Sequence, residues 1–85
     1  MKLSPTEMRV LEALDGKTRP DDFFVGFQPL QDTTELSRHE VRRACRSLKR
    51  KGLASFMAGL WTEDGEPAGS GYAITEAGRA AVAEA

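Results

Sequence analysis

The chain has 85 residues, with 12 Lys or Arg, 13 Asp or Glu, one His and one Cys, and a formal net charge of −1. That length holds one small domain, residues 1–85, burying about 60–65% of its unfolded surface, and excludes a second domain. No apolar run is long enough to span a bilayer, Met-Lys-Leu-Ser-Pro has no hydrophobic signal core, and one cysteine makes no internal disulfide, so a cytoplasmic protein without a membrane partner is expected.

Ser4 reads as an N-cap, with Pro5 at the first helical position, Glu7 completing a capping box and Leu3 able to staple onto Met8. A helix over about 5–15 follows, with Met8, Leu11 and Leu14 inward and Gly16 ending it. Residues 17–28 open as a loop, yet Phe23, Phe24, Val25 and Phe27 need burial, while Gly26 and Pro29 interrupt any long helix. A short second helix is expected over Pro29–Thr33, with Leu30 inward and Thr34-Glu35-Leu36 leading to Ser37.

Residues 38–51 hold seven of the chain's basic residues and one acid, Glu40, a net +6 between segments of net −3 and −4. Val41, Ala44, Cys45 and Leu48 fall at i, i+3, i+4, i+7, the inward stripe of an amphipathic helix. His39, Arg43, Arg46 and Arg50 then point the opposite way, with Arg38, Arg42 and Lys49 on one flank. Ser37 and Glu40 form a second capping box, Leu36 staples onto Val41, and Gly52 ends the helix with Leu53 against Leu48. Like charges at this spacing repel, so the cluster points to an anionic partner rather than a merely solvated face.

Leu53–Thr62 reads as a strand, Glu63–Gly71 as turn formers, and Tyr72-Ala73-Ile74 as the return strand of a hairpin. Phe56, Met57, Leu60 and Trp61 give the first strand more apolar surface than one wet face needs. They read either as core shared with Phe23, Phe24 and Phe27 or, at Met57 and Trp61, as a dimer or partner surface. Thr75 can cap a last helix over Glu76–Ala85, in which Gly78 weakens the first turn.

The order helix, helix, turn, helix, strand, wing, strand, helix resembles the winged helix-turn-helix superfamily, particularly MarR-like and small phage-type regulators. The resemblance rests on Leu36-Ser37, on Leu48-Lys49-Arg50-Lys51-Gly52-Leu53 and on Gly71-Tyr72-Ala73-Ile74-Thr75-Glu76-Ala77-Gly78-Arg79, about half of the chain. It implies an α+β, mostly α fold: three N-terminal helices, a two-stranded wing hairpin and a C-terminal helix. It further implies that helix 38–51 lies in the major groove of double-stranded DNA. His39, Arg42, Arg43 and Arg46 are then candidate base contacts. Arg38, Lys49, Arg50, Thr33 and Thr34 are candidate phosphate contacts. The acids Glu63, Asp64 and Glu66 depart from the basic wing of such proteins.

The leading expectation is a sequence-specific DNA-binding transcriptional regulator, with a homodimer able to read adjacent half-sites. The alternative is a protein-interaction module on the same fold, its basic helix meeting an acidic surface. Single-strand recognition by stacking is disfavoured because no aromatic platform interleaves with the basic residues. One His, one buried-type Cys and no phosphate loop or carboxylate pair argue against an enzyme, a cofactor or a metal site.

Overall fold

A computed structural model describes residues 2–17, 24–61 and 67–84, with side chains at 17, 59–61 and 67–70 outside it. The elements are α1 (Pro5–Lys17), α2 (Phe27–Thr34), α3 (Arg38–Arg50), β1 (Ala54–Trp61), β2 (Pro67–Ile74) and α4 (Glu76–Glu84). Among the described residues no helix is long and apolar enough to cross a membrane.

The first capping box forms as its spacing requires. Glu7 N–H donates to Ser4 Oγ at 3.0 Å, and Ser4 N–H donates to Glu7 Oε1 at 2.9 Å. The inward stripe of α1 differs from the expected one: Val10, Leu11 and Leu14 are fully buried, whereas Met8 is half-buried. Helix α2 starts two residues before Pro29, at Phe27, with Gly26 as its N-cap. Pro29 is tolerated because first-turn N–H groups have no acceptor within the helix.

Glu35, at the turn between α2 and α3, takes a left-handed conformation with φ 61°, its N–H donating to Gln31 O at 2.8 Å. Helix α3 carries the complete second capping box, Glu40 N–H to Ser37 Oγ and Ser37 N–H to Glu40 Oε1, both 3.1 Å. At its end Gly52 has φ 77°, and Gly52 N–H to Lys49 O at 3.0 Å and Leu53 N–H to Leu48 O at 2.9 Å are the paired closing bonds of a Schellman ending.

Strands β1 and β2 pair antiparallel, with Ala54 opposite Ile74 and Phe56 opposite Tyr72, and irregularities beyond Met57. Strand β2 runs from Pro67, well before the expected Tyr72, while the turn residues 62–66, including the acids Glu63, Asp64 and Glu66, lie outside the described residues, as does Phe23. Val25 adds an unexpected rung, exchanging two 2.9 Å backbone bonds with Tyr72 on the free edge of β2. Those bonds satisfy the backbone of an otherwise irregular segment.

Thr75 closes the hairpin onto α4. Its Oγ accepts from Gly78 N–H at 3.0 Å and donates to Gly52 O at 2.7 Å. Gly78 is buried so closely that a Cβ there would lie 2.2 Å from Leu53 O and 2.6 Å from Ile74 Cγ1. Helix propensity at this position gives way to close backbone packing. The core collects Val10, Leu11, Leu14, Leu30, Val41, Cys45 and Leu48, all fully buried, with Leu53, Tyr72 and Ile74 at its sheet side.

Candidate nucleic-acid interface

Helix α3 buries Val41, Ala44, Cys45 and Leu48, which leaves His39, Arg42, Arg43, Arg46, Lys49 and Arg50 exposed together with Arg38. Burial pushes the Cys45 thiol up to about 12, so it stays a neutral, inert part of the core. The outward ridge is bordered by two grooves of different chemistry.

The groove toward α1 has an internally satisfied edge. Lys51 Nζ lies 2.9 Å from Glu7 Oε2 and 3.0 Å from Oε1, and the Ser47 hydroxyl donates to the same carboxylate. Among the described residues Glu7 is the one buried charged side chain. Desolvation alone would raise its pKa, but the bonds from Ser4, Ser47 and Lys51 outweigh it and bring the group down to about 2. Lys51 is therefore a brace between the ends of α1 and α3 and does not belong to the cationic ridge. Its ammonium is the one cation of residues 38–51 in an ion pair among the described residues.

The groove toward the hairpin is about 600 Å³ and combines Arg42, Arg46 and Lys49 with three aromatic rings. Phe27 stacks on Tyr72 with ring centroids 6.0 Å apart, and Phe56 tilts against Tyr72 at 5.1 Å. Cations cap both ends of this row: Arg38 sits 5.2 Å from the centre of Phe27, and Lys49 Nζ 5.9 Å from that of Phe56. Burial raises the Tyr72 phenol pKa, while Arg46 and Arg42 pull it the other way.

This arrangement corrects the reading that no aromatic platform interleaves with the basic residues. The interleaving comes from three separate elements, so it is invisible along α3, and the cross-strand register of Phe56 with Tyr72 is the signal that would have found it. Phe56 is also not a core residue: it is 41% exposed.

The remaining expected site residues are scattered. Thr34 is buried, its hydroxyl donating to Leu30 O at 2.6 Å and accepting from Leu36 N–H, while Arg9 donates to its carbonyl. A buried hydroxyl committed to the helix end is not a phosphate ligand, and Thr34 is reassigned to the α2 terminus. Thr33 is exposed but lines a separate depression with Arg9 and Glu12. Met57 is 46% exposed, and Trp61 ends β1 with its side chain outside the described residues.

No family model and no curated protein matches the sequence. Solved structures do match. A MarR-family transcriptional regulator from Silicibacter pomeroyi superposes with a TM-score of 0.75 at 23% identity, over 96% of this chain and 49% of its own. BpsR of Bordetella bronchiseptica, whose DNA binding is regulated by 6-hydroxynicotinic acid, gives 0.73 at 23% over 98% and 56%. A protein from Ralstonia eutropha JMP134 described as DNA-binding gives 0.72 at 18% over 98% and 96%. The chain has the winged helix-turn-helix fold. It spans about half the length of the first two structures and nearly all of the third. In winged-helix terms α2 and α3 are the helix-turn-helix, and β1 with β2 is the wing.

Proposed function

We propose that this domain is a sequence-specific double-stranded DNA-binding regulator, with α3 in the major groove. The observation that carries the reading is the ridge itself: Arg38, Arg42, Arg43, Arg46, Lys49 and Arg50 are exposed and, among the described residues, unpaired with any carboxylate. A helix Arg38–Arg50 is about 20 Å long at ~1.5 Å per residue and fits a groove about 12 Å wide. The fold shared with DNA-binding regulators supports the same reading.

His39, Arg42, Arg43 and Arg46 are placed to meet base edges, and Arg38, Lys49 and Arg50 to meet phosphates. Thr33 and Thr34 are left out of the assignment. A second copy, docking on β1 at the exposed Met57, would let two ridges read adjacent half-sites. Three phosphate-contacting cations per chain give a salt slope of about −2.7, roughly a 40-fold loss of affinity between ~50 and ~200 mM salt.

Selection from a random duplex pool, followed by binding titrations of the enriched sequence, tests the proposal. Arg43→Ala and Arg46→Ala should weaken the selected site by about 1–3 kcal/mol while changing non-specific binding far less. Absence of duplex binding at ~50 mM salt, or a flat selection, would overturn it.

A further inference from the structure

The groove between α3 and the hairpin holds more than a duplex can use. Stacked bases in a duplex hide their faces against one another and present only edges and phosphates to a protein. An aromatic platform is matched instead by a base whose face is free. Here the platform exists: Phe56 is 41% exposed, rests on Tyr72 at 5.1 Å, and borders Arg42, Arg46 and Lys49. Tyr72 is buried and Phe27 half-buried, so Phe56 is the exposed member of the row.

We propose that this groove binds an unpaired nucleotide of a single-stranded nucleic acid, the base stacking on Phe56 and the phosphate held by Lys49 with Arg42 or Arg46. Its volume, about 600 Å³, lies within the ~300–1,000 Å³ range of sites that enclose small organic ligands. Lys49 Nζ lies over the Phe56 ring at 5.9 Å. On its flexible four-carbon stem the ammonium can move from the ring to an incoming phosphate, leaving the ring face to the base. Arg42 and Arg46 add fixed positive charge along the path of the backbone. The site shares Arg42, Arg46 and Lys49 with the duplex reading, and its distinguishing group, Phe56, lies on the hairpin and off the outward ridge.

The test is anisotropy of a labelled fifteen-nucleotide oligothymidylate and of a duplex, titrated with the full chain and its Phe56 variants at ~50 mM salt. Phe56→Leu keeps apolar bulk but removes the π-face. It should weaken the oligothymidylate by about fivefold or more and leave the duplex within about twofold, whereas Phe56→Trp should bind the single strand at least as well as wild type. Equal single-strand affinity for wild type and Phe56→Leu, equal losses on strand and duplex, or no oligothymidylate binding by wild type would each overturn the proposal. Thymidine monophosphate titrated alone separates the two sources of this chemistry. Binding with the same Phe56 dependence would assign the groove to a free nucleotide instead of a strand and overturn the strand assignment; its absence supports the strand. Failure of the duplex to bind would refute the regulator reading and leave the Phe56 comparison intact.

Discussion

Glu7→Gln isolates the brace that fixes α3 against α1. Gln keeps the size of Glu and can still complete the capping box with Ser4, so the substitution removes mainly the charge facing Lys51 and Ser47. The folded carboxyl sits at about 2 against an ordinary 4.5. At about 1.4 kcal/mol per unit, that difference sets a ceiling of about 3.5 kcal/mol. The surviving cap and the 29% exposure of the Lys51 side chain, which lets the ammonium turn to water, reduce the expected loss to about 2 kcal/mol. Because the folded value is the lower one, the stabilisation is complete above about pH 4.5 and disappears as the pH falls through about 2. Urea unfolding followed by circular dichroism should therefore show wild type about 2 kcal/mol more stable than Glu7→Gln at pH 7, with the gap closing on acidification. Glu40, also lowered through its Ser37 bonds, titrates in both proteins and cancels in the comparison. A gap below about 0.5 kcal/mol at pH 7, or one that persists unchanged at pH 2, would refute the reasoning.

Gly78→Ala should destabilise by about 1–3 kcal/mol despite the better helix propensity of Ala, because the new Cβ meets Leu53 O at 2.2 Å; a raised melting temperature would contradict this. Glu35→Gly should stabilise by about 0.5–1 kcal/mol, as relief of the left-handed φ of 61° exceeds the added unfolded-state entropy, and a lower urea midpoint would count against it. Cys45, fully buried with its thiol pushed up to about 12, should react with Ellman's reagent only as fast as the protein unfolds; immediate stoichiometric labelling would show otherwise.

The parts of the fold legible in the sequence are those set by neighbours three or four residues apart. Both capping boxes, the stripe of α3 and the Gly52 ending follow from such local spacing, and each forms as read. What escaped depends on distant pairings. Val25 finds Tyr72 across 47 positions, and Lys51 finds Glu7 across 44, so neither the extra rung nor the brace leaves a periodic trace. Thr34 is a phosphate candidate only through the family resemblance, whereas here it is buried, with Arg9 of α1 donating to its carbonyl. Gly78 read as a weakness of α4 because propensity is a local quantity, and the close approach of Leu53 is not.

The circumference of α3 is divided so that its charge survives folding. The apolar stripe anchors the helix, and Ser47 and Lys51 tie one flank to Glu7. From the other flank across the outward face a cation recurs at every fourth position, Arg38, Arg42, Arg46 and Arg50, and each adjacent pair of like charges costs about 0.2–0.5 kcal/mol. Carboxylates placed beside them would relieve that repulsion, but they would also cancel the field an anionic partner needs. Aromatic rings relieve it differently. Phe27 beneath Arg38 and Phe56 beneath Lys49 each contribute about 0.5–1 kcal/mol at exposed positions while leaving the net charge in place. That is of the same size as the repulsion, so the aromatic row lets the ridge remain both stable and positive, which a carboxylate border would not.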